Sequence, residues 1–244
     1  MSVWGKILGG AAGFALGGPL GAFIGAVAGH AVDKLSHGSG GTQTADATKQ
    51  IAFTIGVIVL GAKLAKADGK VTRDEVDAFK RVFQIPPEEM KNVGRVFDQA
   101  RKDSQGYEPY ARQLARMFAD NPAVLEELLG GLFHIARADG NITEDELVYL
   151  EQLAGFFGFD APAWDRIRAA NVGMEKGDPF RILGVTRDDS NEAIRAAHRK
   201  LVVENHPDRL VAQGMPQEFV DMANEKVATM NAAYDEIRKL RGTK

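Results

Sequence analysis

Residues 190–216 have the sequence SNEAIRAAHRKLVVENHPDRLVAQGMP, and this segment determines the architecture of the carboxy-terminal part of the chain. The apolar residues before His206 recur every three or four positions, which predicts an amphipathic helix. His206-Pro207-Asp208 ends that helix, because proline disfavours the helical conformation in the residue before it. Pro216 opens a second, longer helix. The two helices can pair as an antiparallel hairpin, which leaves His206 to Asp208 at its exposed end.

Capping signals define the helices around this hairpin. Asp178 and Pro179 begin the sequence DPFRILGV, in which the aspartate caps a brief helix and the proline takes its first position. Ser190 caps the first long helix. Apolar residues of the last helix keep the helical spacing, and we expect them to form one stripe: Phe219, Ala223, Val227, Met230 and Tyr234.

A repeat lies upstream, in residues 51–172, where apolar residues keep helical spacing and predict an all-α region. The sequences ADGKVTRDEV and ADGNITEDEL, at 67–76 and 138–147, are offset by 71 residues. In each copy Thr-x-x-Glu forms a capping box at a helix start. The glycines before the boxes, Gly69 and Gly140, suit a turn with left-handed backbone. The repeat therefore predicts two related helix–turn–helix units.

The same repeats resemble calcium-binding loops only in part. An EF-hand alignment places Glu75 at the twelfth position, which suits a bidentate ligand. However, it puts Leu64 and Lys66 at the first and third positions, and Ile135 and Arg137 there in the second copy. An apolar and a cationic side chain cannot replace two carboxylates, so a calcium loop is excluded.

The first 35 residues are rich in glycine and poor in charge. From Ile7 to Gly29 there is no charged side chain, and these 23 residues are long enough to cross a hydrocarbon core of about 30 Å. Glycine recurs at every fourth position, which in lipid lets two helices approach closely. We predict a membrane anchor over residues 1–35 and a homodimer that packs through a glycine stripe: Gly13, Gly17, Gly21 and Gly25.

Pro19 leaves two alternatives to a straight helix open, a kinked helix and a re-entrant hairpin around Gly17-Gly18-Pro19. After the anchor, residues 36–50 are mostly small and polar and predict a flexible linker. A second short linker, at 173–177, precedes the carboxy-terminal segment 178–244.

Composition excludes several classes of protein. The 244 residues include no cysteine, which rules out disulfides, thiolate metal sites and a cysteine nucleophile. Thirty basic residues against 33 acidic ones give a net charge of −3, so no broad basic field favours a nucleic-acid partner. The sequence contains neither a phosphate-binding loop nor a nucleophile–base arrangement. We therefore expect a protein that is not an enzyme and that needs no cofactor.

The paired repeats resemble the tellurite-resistance TerB-like domain, over roughly residues 51–170. That resemblance implies an acidic metal site as an alternative to the capping and turn roles. The matching positions are Asp68, Asp74, Glu75, Asp139, Asp145 and Glu146. Because each of them already has a capping or turn role, no metal is assigned to them.

The last segment resembles a J-domain over residues 178–244, on the order DPF-x-ILGV, a basic helix with RKL, HPD, and a helix with NAAY. Residues 203–216 are similar to those of the membrane-anchored DnaJ-like proteins of the DjlA type, which combine a glycine-rich anchor, a TerB-like middle and a J-domain in this order. Two positions depart from the usual pattern, because most J-domains carry aromatic residues where His198 and Asn205 stand.

This resemblance implies a co-chaperone of Hsp70 (DnaK), held at the bacterial inner membrane with its soluble domains in the cytoplasm. The partners implied are Hsp70 and the lipid bilayer. A membrane stress sensor whose TerB-like domain binds a metal or ligand is the alternative. The residues implied to contact Hsp70 are His206, Pro207, Asp208, Arg195, Arg199, Lys200 and Arg209.

Overall fold

The described part of the chain is helical and contains no strand, which confirms the predicted all-α class. A computed structural model describes residues 17–28, 45–67, 73–82, 85, 87, 90–102, 106–138, 140–172, 178–212, 215 and 217–242. The helices are α1 (Gly18–Ala28), α2 (Ala45–Leu64), α3 (Arg73–Val82), α4 (Met90–Ala100), α5 (Glu108–Met117), α6 (Pro122–Ala136), α7 (Glu144–Phe156), α8 (Ala161–Val172), α9 (Pro179–Ile182), α10 (Asn191–Glu204), α11 (Pro207–Ala212) and α12 (Gln217–Leu240).

Helix α2 is the centre of the middle domain, residues 45–172. Every residue from Ala52 to Ala65 is buried, and all of them except Thr54 and Lys63 are apolar or glycine, as expected for a helix at the centre of a domain. Helices α4, α5 and α6 pack around it. A Cβ at Gly56 would lie 2.6 Å from Leu114 Cδ1, so glycine is what lets α5 approach this closely.

The second repeat unit folds as predicted. Thr143 Oγ1 accepts a hydrogen bond from Glu146 N at 3.3 Å, and Thr143 N donates to Glu146 Oε2 at 2.8 Å, which completes the capping box of α7. Gly140 has a φ of +101°, in the left-handed region. In the first unit α3 begins at Arg73, while Gly69 and Thr72 lie outside the described residues.

The amino-terminal helix α1 packs against α5 of the middle domain. Gln113 holds its start, because Leu20 N donates to Gln113 Oε1 at 2.9 Å and Gln113 Nε2 donates to Gly17 O at 3.1 Å. Gly17 and Gly18 have φ values of +55° and +61°, in the left-handed region. The backbone therefore departs from a straight helix at the position where the sequence suggested a kink or a hairpin. Among the described residues, no helix has the length and apolar character that a membrane span requires.

Two further differences concern the amino-terminal region. Helix α2 begins at Ala45, so the last part of the predicted 36–50 linker is helical. Of the predicted glycine stripe, Gly21 and Gly25 lie within α1 and Gly17 precedes it, whereas Gly13 lies outside the described residues.

The carboxy-terminal domain, residues 178–242, is built around the predicted hairpin. Asp178 accepts a hydrogen bond from Phe180 N and Ser190 accepts one from Ala193 N, so both predicted caps are present. Side-chain contacts pair α10 with α12 in antiparallel order, from Arg195 with Tyr234 to Asn205 with Lys226. Its own core consists of Phe180, Leu183, Ile194, Leu201, Met230, Ala233 and Ile237.

The expected single stripe on α12 is divided between two cores. Met230 faces α10 within the carboxy-terminal domain, but Phe219 and Ala223 belong to the core of the middle domain. The Phe219 ring meets Phe53 of α2 edge to face, with centroids 4.6 Å apart. The apolar spacing was predicted correctly, yet one helix serves both domains.

Beside this apolar contact lies a buried carboxylate pair, Glu126 and Glu127 of α6. Arg166 of α8 donates two hydrogen bonds to Glu126, at 2.7 and 2.6 Å. Lys226 of α12 lies 2.8 Å from an oxygen of each carboxylate. Burial alone would raise the pKa of Glu126, but Lys226 and Arg166 outweigh it and lower the pKa to about 2. Burial raises the pKa of Glu127, against the effect of Lys226.

We predict that Glu126→Gln lowers the free energy of unfolding by on the order of 3 kcal/mol at pH 7, because the ionised form is favoured in the folded state. Because the pKa of Glu126 is lower in the folded than in the unfolded state, its ionised form stabilises the fold at any pH above the ordinary carboxyl pKa. This stabilisation is lost as the pH falls through the pKa of the folded state. The difference from wild type in urea unfolding should therefore shrink between about pH 5 and pH 2.

The control for this measurement is Glu151→Gln, which changes an exposed glutamate on α7. A difference between wild type and Glu126→Gln that stays the same across that pH range would contradict the electrostatic role of Glu126.

Candidate docking surface around His206-Pro207-Asp208

His206, Pro207 and Asp208, the tip, lie between α10 and α11 at the exposed end of the hairpin. The His206 side chain is 49% exposed and that of Asp208 is 88% exposed. His206 Nδ1 accepts a hydrogen bond from Asp208 N at 3.3 Å, so the neutral ring carries its proton on Nε2. Pro207 begins α11, where a missing N–H costs the helix nothing. The tip thus offers an exposed carboxylate and an exposed imidazole side by side.

Asn205, the residue directly before the tip, is buried and only 2% exposed. Its Nδ2 donates to Leu201 O at 2.8 Å, and its Oδ1 accepts from Lys226 Nζ at 2.8 Å. An aromatic ring, usual at this position in J-domains, would supply neither bond. The departure at Asn205 is therefore explained by the lysine that also binds the carboxylate pair.

His198, the second departure, keeps the packing role of an aromatic residue. Its ring stacks on Tyr234 with centroids 4.3 Å apart and an interplanar angle of 5°. His198 Nε2 also forms a hydrogen bond with Asn231 Oδ1 of α12, at 2.8 Å, so the ring contacts α12 through two residues.

The four predicted basic contacts are all exposed. Arg195 and Arg199 lie one turn apart on α10, and Arg195 Nε is 3.5 Å from the Tyr234 hydroxyl. Lys200 lies 4.0 Å from Glu204, a surface ion pair of small energetic value. Arg209 follows the tip in the first turns of α11.

Lys200 and Arg209 also line a cleft of about 550 Å³ between the two domains. The carboxy-terminal wall includes Ala197, Lys200, Glu204 and Arg209, and the middle-domain wall includes Asp120, Asn121, Ala163 and Arg166. The predicted contact residues therefore fall into two groups, one on the open face of the hairpin and one beside the middle domain.

Of the six acidic positions suggested for a metal, only Asp145 and Glu146 have described side chains. Glu146 is buried in its capping box, whereas Asp145 is exposed. Asp68 and Asp139 lie outside the described residues, and the side chains of Asp74 and Glu75 are not described. The described residues contain no group of three histidine, aspartate or glutamate side chains placed to hold a metal ion.

Sequence reasoning missed the network that joins Asn205 to the middle domain. Its members are Lys226, the carboxylate pair and Arg166. One signal was present, because two adjacent glutamates interrupt the apolar sequence PAVLEELLGGLFHIA of α6. Adjacent residues cannot both face solvent on a helix that is buried over most of its surface, so such a pair predicts a buried cationic partner.

Comparisons with known proteins cover the whole chain. Residues 1–52 match the family model described as the co-chaperone DjlA transmembrane domain, residues 54–169 match tellurite resistance protein TerB, and residues 178–239 match the DnaJ domain. No solved structure matches.

Proteins described as "Co-chaperone protein DjlA" are similar to this chain from end to end. The protein of Aliivibrio fischeri is 30% identical over 283 residues, covering 100% of both chains. That of Photobacterium profundum is 29% identical over 278 residues, covering 99% of this chain and 100% of the relative. That of Coxiella burnetii is 27% identical over 264 residues, covering 97% of each. The resemblance seen in the motifs is thereby confirmed.

We predict that Asn205→Ala lowers the free energy of unfolding by about 1–3 kcal/mol, because it removes one buried and one partly buried hydrogen bond. Asn224→Ala is the matched control, since Asn224 donates to the carbonyl four residues earlier, at 3.1 Å from Val220 O, but is exposed. Urea unfolding of both variants measures the difference. Equal effects would show that the bond to Lys226 and the burial of Asn205 contribute nothing.

Proposed function

The chain belongs to the DjlA family of co-chaperones, and from this we propose that it binds an Hsp70 chaperone (DnaK) through the tip and stimulates the ATP hydrolysis of that partner. The observation that carries this proposal is the exposure of the tip. Asp208 and His206 project from the end of a hairpin that lies inside the segment matching the DnaJ domain, residues 178–239.

The exposed basic residues support the same function. Arg195 and Arg199 present two exposed cations one turn apart on α10, the helix that precedes the tip. A partner with acidic groups opposite this face is steered towards it, and a cationic group on the partner pairs with Asp208. Pairing at the tip removes water from the Asp208 carboxylate, which strengthens its attraction to the cation of the partner and costs part of its hydration.

The part of this chain in the reaction is to bind and not to supply a catalytic group. The side chains at the tip are a carboxylate and an imidazole that contact each other, with no nucleophile beside them among the described residues. Stimulation then arises because binding favours the conformation of the partner that hydrolyses ATP.

Membrane attachment completes the proposal. The match of residues 1–52 to the DjlA transmembrane domain supports a tether to the inner membrane. Because Hsp70 and ATP are cytoplasmic in a bacterium, both soluble domains face the cytoplasm. The tether confines the co-chaperone to the membrane surface and thereby selects where the partner is activated.

We predict that Asp208→Asn lowers DnaK stimulation more than tenfold, and that His206→Gln, which removes the imidazole beside it, lowers stimulation as well. Loss of a desolvated charge pair costs about 2–5 kcal/mol, and 1.4 kcal/mol corresponds to a factor of ten. The measurement is single-turnover ATP hydrolysis by DnaK with the full chain in lipid nanodiscs. Asp188→Asn, an exposed aspartate elsewhere in the same domain, is the control and should stimulate like wild type.

If the tip served only to end a helix, Asp208→Asn would cost about 1 kcal/mol or less and would leave stimulation intact. Helical variants, checked by circular dichroism, that stimulate like wild type would therefore contradict the proposed function.

Orientation is tested separately. We predict that protease added to intact spheroplasts leaves the carboxy-terminal domain whole, because the membrane shields it, and that the same protease degrades it after lysis. The readout is immunoblotting of an epitope attached after Lys244. Degradation before lysis would place the soluble domains on the other side of the membrane.

A further inference from the structure

We propose that a cavity between α6, α8 and α12 binds the ammonium group of a small aliphatic amine. The cavity lies where the two domains meet, has a volume of about 170 Å³ and has exposed residues on its wall, so solvent reaches it. Cavities of roughly 150 Å³ hold molecules as large as benzene. None of the lining residues belongs to the proposed docking surface, so a ligand here is independent of the proposed function.

Glu127 is the most buried charged residue on the wall of this cavity, at 2% exposed. Its Oε1 accepts a hydrogen bond from Lys226 Nζ at 2.8 Å. Its Oε2 has no hydrogen-bond partner among the described residues and keeps accessible surface at the cavity. Burial raises the pKa of Glu127 against the effect of Lys226, so one lysine does not fully compensate the buried charge. A second cation at Oε2 would supply that compensation.

Asn171 and Glu225 add further acceptors to the wall. Asn171 Nδ2 donates to Ile167 O at 2.8 Å, and its Oδ1 has no donor among the described residues. Glu225 is exposed, and its carboxylate forms no ion pair with another described residue. An ammonium group donates three hydrogen bonds. With Glu127 Oε2, the wall offers as many acceptors as an ammonium group has donors.

The two cations on the wall are already engaged. Lys226 lies between the carboxylates of the carboxylate pair, at 2.8 Å from each. Arg137 donates to Asn171 O in the last turn of α8, where a helix carries partial negative charge. Glu225 therefore remains without a compensating charge, and the cavity favours a cationic ligand over an anionic one.

The rest of the wall suits the carbon chain of an amine. Ile182, Met222 and Met230 line this part, and methionine adapts its shape to irregular ligands. A Cβ at Gly130 would lie 3.7 Å from Asn171 Oδ1 and 3.8 Å from Met222 Cε. The missing side chain at Gly130 thus keeps space open between a hydrogen-bond acceptor and the apolar surface.

The test is a titration of the full chain, in phosphatidylcholine nanodiscs, with butylammonium chloride. The methionines are labelled with ¹³C at the methyl group, so that Met222 and Met230 report binding from the wall itself. We expect both signals to shift and to saturate with a dissociation constant on the order of 1 mM, which five non-hydrogen atoms can supply. Met117 of α5, away from the cavity, should not shift. Sodium chloride at equal ionic strength gives the baseline.

Two other ligands test the chemistry of recognition. Butan-1-ol has the same carbon chain without the charge, and we expect it to bind at least about tenfold more weakly. Nα-acetyl-lysine methylamide carries the same ammonium and chain on a peptide unit. It should also bind more weakly, because a cavity of about 170 Å³ has no room for the peptide unit. Equal or tighter binding of the lysine derivative would assign the site to a lysine side chain of a protein and overturn a free amine.

Two variants locate the site. Glu127→Gln keeps the shape of the side chain but removes its charge, and should weaken butylammonium binding at least about tenfold. Gly130→Ala places a methyl group in the cavity and should weaken binding by about tenfold, while alanine favours the helix. Gly155→Ala is the matched control, because a Cβ at this exposed glycine of α7 meets nothing within 4 Å. Circular dichroism checks that the variants fold.

Saturable shifts at Met222 and Met230, weakened in Gly130→Ala but not in Gly155→Ala, support the amine site. Shifts that do not saturate, equal binding of butan-1-ol, or unchanged binding in Gly130→Ala would overturn it. If Glu127→Gln does not fold, Gly130→Ala still decides. DnaK stimulation by the wild type is measured separately, so loss of the amine site leaves the proposed function standing.

Discussion

The need to cover helix α2 on every side determines the rest of this structure. From Ala52 to Ala65 the helix carries apolar side chains on every side, with only Thr54 and Lys63 polar, so neighbouring helices must surround it. Helices of the middle domain cover most of it, and at Gly56 the absence of a side chain leaves room for Leu114 of α5. The remaining part, at Phe53, is covered by Phe219 of the carboxy-terminal domain. The boundary between two sequence families is therefore not a boundary between two hydrophobic cores.

Local chemistry explains which features were predictable from the sequence. The caps at Thr143, Asp178 and Ser190, and the hairpin that ends at the tip, depend on residues close together in the chain. Periodicity shows that a helix has an apolar face, but it does not identify the partner of that face. For this reason the spacing predicted the stripe on α12 but not that Phe219 belongs to the core of the middle domain. The network at Lys226 joins residues about 100 positions apart, beyond the reach of any local pattern.

The two positions that depart from the usual J-domain pattern are explained by the contacts that their side chains make. His198 retains an aromatic stack on Tyr234 and adds a hydrogen bond to Asn231. At position 205 an amide stands in place of the usual ring, because it accepts a hydrogen bond from Lys226, which also binds carboxylates of the middle domain. A residue that looks unfavourable within one domain is thus suited to the contact between two.

Helix α12 is common to both cores, and its length has a mechanical consequence. Its 24 residues span about 36 Å, with Phe219 anchored in the middle domain and Ile237 in the far core. A rigid rod held at one end acts as a lever. A tilt of ten degrees about Phe219 would move Ile237 by about 5 Å. Asn205 binds Lys226 of α12, which lies close to Phe219. A small rotation about Phe219 therefore moves the Ile237 end of α12 most, whereas the histidine and aspartate beside Asn205 move far less.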